Sequence, residues 1–245
     1  MFVFRGFLFF DTDNFLNERG RCIIDLIIDI ETYRSELSSE QKEYRESGIT
    51  APGNYKDPVK IAEAIAEKKR SLYDKDALDP MYGRIIAIGY MITDVDDVIV
   101  NPTVLINKDE QALLISFYQA LMQLDEPSGS VYPITFNGTD FDIPFLNFRT
   151  MTHSITSHYR LQSLMENDIR NLLAQKTNIK QPEHSLDEYA MHFGINHFKN
   201  VKGADVGRLW EAGEYQAISD HCKSDVIVCF KLYQKARYYH LSKRY

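Results

Sequence analysis

The feature that most constrains this chain is the run CIIDLIIDI at residues 22–30, followed directly by Glu31. Nearly continuous β-branched and apolar sequence of that length reads as a strand buried on both faces. Such a strand needs helices on each side of its sheet. Asp29 and Glu31 stand two apart, so both carboxylates leave the same face at the strand's carboxyl end. Two like charges held there repel each other and are costly to desolvate without a counter-ion. A hard divalent cation answers both problems, and oxygen donors select magnesium, calcium or manganese. The competing reading is that the strand has ended and both acids are solvated. Asp25 lies on the same side four residues earlier and is a weaker ligand candidate, being further from the strand's end.

The rest of the chain supplies partners for that strand. Residues 83–93 and 97–106 read as a hairpin turning at Asp96 and Asp97. Residues 109–124 have helical periodicity, with Asn107 as a candidate cap and Glu110 three residues on. Residues 131–136 predict a short strand in which Pro133 favours an edge or a strand start. Helices are expected over 144–154, 163–176, 185–193 and 214–239. This order predicts an α/β chain with one mixed sheet flanked by helices. Its first three strands are antiparallel, and the strand at 131–136 runs parallel to the first. Residues 33–80 are polar and broken by Gly48, Pro52, Gly53 and Pro58, which marks a helical and loop insertion outside the sheet. Within it, a helix from Pro58 to Arg70 carries an apolar stripe at Ile61, Ala62 and Ile65 and a basic tip at Lys68, Lys69 and Arg70. The expected division is an N-terminal arm or extra strand over 1–21, a single domain over 22–240 and a short tail over 241–245.

Charge and cysteine content exclude several classes. The net charge of -7 argues against a histone-like coat on nucleic acid, yet not against a nuclease, whose local charge matters more than its total. Three cysteines with no CxxC pair argue against a disulfide scaffold and a zinc ribbon. No apolar run reaches the roughly 18 residues of a spanning helix, so no membrane is expected. The opening MFVFRGFLFF lacks an early basic cluster and a small-residue cleavage site, which predicts a cytoplasmic protein.

Two further motifs carry acids. Asn137-Gly138-Thr139-Asp140-Phe141-Asp142 follows the strand at 131–136, where open sheets put functional loops. Asn137 offers an amide to backbone or ligand, Phe141 is a core anchor or a base platform, and Asp142 is a helix cap or a metal ligand. In His221-Cys222-Lys223-Ser224-Asp225, residues 221 and 225 share a helix face. Asp225 falls within the apolar stripe Ile218, Cys222, Cys229, Leu232, and an inward Asp needs an Arg, several donors or a metal. His221 is a candidate base, a phosphate donor or a satisfied core histidine.

Taken together, Asp29-x-Glu31, Asn137-x-x-x-Phe141-Asp142 and His221-x-x-x-Asp225 resemble the motifs of the DnaQ-like, or DEDD, 3'-5' exonucleases. The middle motif is similar to that of the proofreading domain of family B DNA polymerases. TFNGTDFDIPFL, HSLDEYAMHFGI, GADVGRLWEAG and ISDHCKSDV resemble stand-alone prokaryotic and phage members related to it. The resemblance implies an RNase H-like fold with a five-stranded mixed sheet. It also implies two Mg2+ or Mn2+ ions held by Asp29, Glu31, Asp142 and Asp225, and hydrolysis of DNA, with RNA as a further substrate, from single-stranded or frayed 3' ends. The insertion then flanks the substrate entrance, with its basic tip near the nucleic acid. A replication or repair partner fits the same picture. In this family a tyrosine four residues before the last acid, or a histidine five before it, positions the attacking water. This chain has a histidine at the tyrosine spacing, the clearest departure from the pattern.

Substrate contacts are expected from Asn137, Phe141, Lys199, Lys202 and Arg208, and from the basic run Lys231, Lys235, Arg237, Lys243 and Arg244. Asp168 and Asp205 are weak ligand candidates, and Trp210 reads as a packing residue. Three other readings compete. One is an inactive nucleic-acid-binding or structural protein of the same fold, supported by His221 in the tyrosine position. The second is a phosphatase-like hydrolase using Asp11-Thr12-Asp13, which lacks its later partners. The third is a carboxylate-pair glycosidase.

Overall fold

The computed structural model describes residues 23–93, 102–123, 130–157, 161, 167–174, 184–196 and 201–239. The arm over 1–21 with its Asp11-Thr12-Asp13 loop, Cys22, the turn at Asp96 and Asp97, Lys199 and the tail over 241–245 lie outside them. Four strands form one sheet in the order β3-β2-β1-β4. β1 (Ile23–Arg34) pairs antiparallel with β2 (Gly83–Thr93), which pairs antiparallel with β3 (Thr103–Ile106). β4 (Ser130–Ile134) runs parallel to β1. The five-stranded expectation is corrected to four among the described residues. Where a fifth strand would sit beside β4, the chain makes one parallel bridge, Thr135 to Asp168, and then coils into a helix at Ile169. Pro133 lies in β4 opposite Leu26, on an edge of the sheet formed by the described residues, a position that tolerates proline better than a central strand does.

β1 is longer than its apolar run, and its alternation sorts the molecule into layers. Leu26, Ile28 and Ile30 face α3 (Glu110–Met122) and α4 (Asp142–Thr152), packing with Leu114, Phe117 and Phe145. On the other face Ile27 packs with α5 (Ile169–Ala174), α6 (Leu186–His192) and α8 (Tyr215–Tyr238). Further along that face, Tyr33 packs with α7 (Val206–Ala212). The pairing of β1 with β2 slips by one residue at Glu31/Thr32, leaving Ile86 extra on β2. This bulge lets Ile86 and Ala87 both join the α7 side, and bulges of this kind re-aim side chains next to functional sites.

The insertion folds into α1 (Ser39–Glu46), a helix that the polar sequence did not single out, and α2 (Pro58–Tyr73). Ser38 and Gln41 form a capping box at the start of α1, and the Asp57 carboxylate accepts from the Val59 amide ahead of Pro58 in α2. Neither helix contributes a buried residue, so the apolar stripe at Ile61 and Ile65 is only half-covered. Polar ties hold the insertion instead. Arg45 clamps Asp76 through two bonds of 2.7 and 2.8 Å and stacks 3.7 Å from the Tyr82 ring centre. Thr32 donates its hydroxyl to the Ala77 carbonyl at 2.5 Å, fixing this short 3-10 turn (Asp76–Leu78) to β1.

Candidate active site

Odd-numbered residues of β1 put Asp25, Asp29, Glu31 and Tyr33 on the face that α7 and α8 cover. Asp25 is taken up by the fold, accepting from the Tyr233 hydroxyl at 2.9 Å. The next two acids meet α8 where it comes closest to the sheet. Gly89 sits opposite Asp29 in the register, and a Cβ there would lie 2.6 Å from the Cys222 sulfur and 3.0 Å from Val226. The glycine thus lets α8 descend onto the strand pair. Cys222, buried, donates its thiol to the Asp29 carbonyl at 3.8 Å. One donor atom from each of Asp29, Glu31 and Cys222 lies within 4.8 Å of the others.

The other two acids arrive from different layers. Asp142, in the first turn of α4, accepts from the Ile30 amide at 3.0 Å, so the strand backbone between the first two acids holds the third. On α8, His221 lies between Glu31 and Asp225. Its Nε2 is 3.5 Å from Glu31 Oε1, and its Nδ1 is 3.9 Å from Asp225 Oδ1. Both separations lie within ion-pair range for a protonated imidazole. The structure therefore brings together Asp29, Glu31, Asp142, His221 and Asp225, from β1, α4 and α8.

The electrostatics of this cluster are unfavourable as they stand. Burial, and then Glu31, Asp142 and Asp225, hold the Asp29 carboxyl well above its ordinary value. Asp29 keeps part of its surface open, but its Oδ2 is enclosed and has no hydrogen-bond partner. The Asp142 carboxyl is pushed up to about 7, first by burial and further by Asp168 and Asp225, against the bonds from Ile30 and its own amide. No guanidinium or ammonium pairs with Asp29 or Asp142 among the described residues. Burial and the neighbouring acids also push the Cys222 thiol up, so it stays a neutral donor rather than a soft anionic ligand. An enclosed orphan carboxylate oxygen, ringed by carboxylates with a neutral thiol beneath, fits a hard divalent cation.

The remaining sequence candidates divide. Asp168 is fully buried and organises the 137–140 loop, accepting from the amides of Asn137 at 3.1 Å and Thr139 at 3.0 Å and from the Thr135 hydroxyl. That structural role was not visible beforehand, because its partners lie some thirty residues away in sequence. Asn137 adopts φ 65°, a left-handed conformation that Asn tolerates, and its side-chain oxygen accepts from Arg170. A Cβ on Gly138 would strike Thr135 at 2.4 Å, so this turn requires glycine. Phe141 packs 5.5 Å from Phe145 and also lines a groove. Asp205 accepts from the Lys202 amide and stands 3.8 Å from Arg208, away from the acid cluster. Lys202 is exposed, and Trp210 packs in the core beneath α7. Tyr33, Arg34 and Glu211, which the sequence did not single out, also line the groove: Tyr33 and Arg34 both donate to Glu211 at 2.7 Å.

The sheet order, the helices on both faces and the acids on a central strand are consistent with an exonuclease fold. Residues 75–243 match a family model described as a predicted 3'-5' exonuclease related to the exonuclease domain of PolB. This spans more than half of the 245 residues, and the chain belongs to that family. Asp142, His221 and Asp225 lie inside the matched region, whereas Asp29, Glu31, α1 and α2 precede it. No curated protein matches the chain. Membership implies an enzyme acting on nucleic acid. Among the described residues, no helix is long and apolar enough to cross a membrane.

Proposed function

We propose that this chain is a 3'-5' exonuclease that hydrolyses phosphodiester bonds of DNA with two Mg2+ or Mn2+ ions. The observation that carries the reading is the meeting of four carboxylates around the enclosed, unpartnered Asp29 Oδ2. Asp29 is the central ligand, with Glu31 and Asp225 on the α8 side and Asp142 fixed by the Ile30 amide on the other. Bound there, the cations would neutralise charge on the scissile phosphate and make a water nucleophilic at neutral pH. Within the chain, the backbone of β1 and α4 preorganises the acids, so no large rearrangement is needed when cations and substrate arrive. His221 sits at the cluster's edge with one nitrogen toward Glu31 and the other toward Asp225. That placement suits a group that orients the attacking water and accepts its proton, and an imidazole is chemically suited to the task near neutral pH.

The deciding experiment is digestion of DNA and RNA carrying 3' or 5' labels, with Mg2+, Mn2+ or EDTA. Metal-dependent release of nucleoside 5'-monophosphates from the 3' end of DNA is the expected result. Binding without cleavage in any metal would favour the inactive nucleic-acid-binding reading.

A further inference from the structure

Beside the acid cluster runs a groove of about 980 Å3 whose floor is the end of β1, from Ile30 to Arg34. One wall is η-turn and helix from the insertion: Arg70, Tyr73 and Leu78. The opposite wall is α7 and the turn before it, including Arg208 and Glu211. Phe141 and Glu31 close the end nearest the acids.

Resting on the exonuclease reading above, we propose that the insertion is a single-strand selector: its α2 wall receives the 3'-terminal segment of a single-stranded substrate and keeps a duplex out. Four observations carry this. First, α1 and α2 bury no apolar side chain, so they add little to the core, yet they are fastened in place by the enclosed Arg45–Asp76 ion pair and the Thr32–Ala77 bond. A segment with no core of its own that is nonetheless pinned over a groove has the groove as its evident task. Second, the lining combines rings with cations: Tyr33, Tyr73 and Phe141 with Arg34, Arg70 and Arg208. That is the chemistry of a single strand, whose bases stack on rings while its phosphates meet guanidinium groups. Third, the arginine side chains are 57 to 74% exposed and their acid partners are exposed too, so they can exchange those partners for phosphates at little cost. With Glu31 engaged by a cation, Arg34, Arg70 and Arg208 outnumber Asp74 and Glu211. Fourth, the groove's volume is that of a small-ligand site, which holds a few nucleotides of one strand and not a double helix.

Arg70→Glu and Leu78→Asp alter the insertion wall at exposed positions, so neither threatens the fold. Lys60→Glu, on the same helix but outside the groove, is the matched control. Binding of a 3'-fluorescent single-stranded DNA oligonucleotide and of a blunt duplex is measured by anisotropy in EDTA at several salt concentrations. Release of the 3' nucleotide is measured separately in Mn2+. The inference predicts that the parent binds the single strand more tightly than the duplex. It predicts that Arg70→Glu weakens single-strand binding about tenfold and flattens its salt dependence by roughly one phosphate contact. Leu78→Asp should weaken it several-fold and Lys60→Glu should leave it unchanged. Equal binding by Arg70→Glu, Leu78→Asp and Lys60→Glu, or duplex bound as well as single strand, would overturn the selector while leaving the exonuclease reading intact. Selective binding by the parent with no 3' release in Mn2+ would uphold the groove and overturn the exonuclease reading instead.

Discussion

Two regions of this molecule bury carboxylates, and they treat them in opposite ways. On the α3 and α4 face, Glu110 accepts from the Ile85 amide at 2.7 Å, from Arg149 Nε at 3.0 Å and Nη2 at 2.6 Å, and meets His153 Nε2 at 2.7 Å. Its charge is fully answered within the protein. Midway along β1, which runs on past Asp29 and Glu31 to Arg34 and so does not end there as the sequence suggested, Asp29 has an enclosed oxygen with no partner, and its nearest charges are other acids. A buried ion left without a counter-charge costs several kcal/mol, so a fold keeps such a group only when something else completes it. Burial alone therefore does not mark a site here. Asp25, Asp76, Glu110 and Asp168 are as buried as the cluster, and each is satisfied by Tyr233, Arg45, Arg149 or backbone amides.

The largest effects should come from emptying the unsatisfied region of its acids. Asp29→Asn or Asp225→Asn should lower 3' release by more than the roughly 10- to 100-fold that follows loss of a residue merely supporting a metal site. The fold, checked by circular dichroism, should be intact. His221→Ala tests the base proposed beside these acids and should slow single-turnover cleavage by about 10²–10⁴-fold with little change in cation affinity. His221→Tyr should restore part of the rate, since the spacing to Asp225 already suits a tyrosine. An unchanged rate in His221→Ala would make that residue a packing group between two acids.

The satisfied region should respond in stability and not in chemistry. Arg149→Met strands Glu110, and breaking a buried pair costs about 3–5 kcal/mol. In a chain of this size that is a fall of roughly 10 °C in melting temperature. The cleavage rate per folded molecule should not change. If Arg149→Met melted like the parent, the contrast between the two regions would lose its basis.

A smaller effect separates the regions by pH. The Asp142 carboxyl stands at about 7 in the folded protein against an ordinary 3.8. Between those values the folded state holds the proton more often than the unfolded state does. Metal-free stability from this group is thus complete below the lower value and is lost as pH rises through the upper one. Melts in EDTA should accordingly fall between about pH 5.5 and 7.5 by more in the parent than in Asp142→Asn. Equal slopes in the two proteins would reject the raised Asp142 carboxyl.

The contrast also marks what sequence could reveal. Asp29 and Glu31 were legible because a strand's period of two sets their direction without reference to the rest of the chain. Asp225 was legible from its place in the helical stripe of Ile218, Cys222 and Cys229, all of them buried. Their meeting with Asp142 was expected only through the family resemblance, because it depends on α4 reaching the Ile30 amide across 112 residues. Asp109, not the expected Asn107, caps α3 by accepting from the Ala112 amide, and Glu110, read as the capping-box partner of Asn107, is engaged elsewhere. Its Arg149 partner lies 39 residues on, beyond any local pattern. Likewise α1 was hidden by its lack of a buried face: a capped polar helix leaves no hydrophobic period to read.

The central claim is that the acid cluster around Asp29 on β1 is built for cations. It is tested most directly by the melting temperature of the parent and of Asp29→Asn at pH 7.5, each in EDTA and in excess Mn2+. In EDTA the variant should melt above the parent, because one of four mutually repelling carboxylates is gone. Mn2+ at about 100 times its dissociation constant should stabilise the parent by about 2.7 kcal/mol, several degrees, and should move Asp29→Asn far less. A parent that melts at the same temperature with and without Mn2+, or a variant that gains as much as the parent, would contradict the claim.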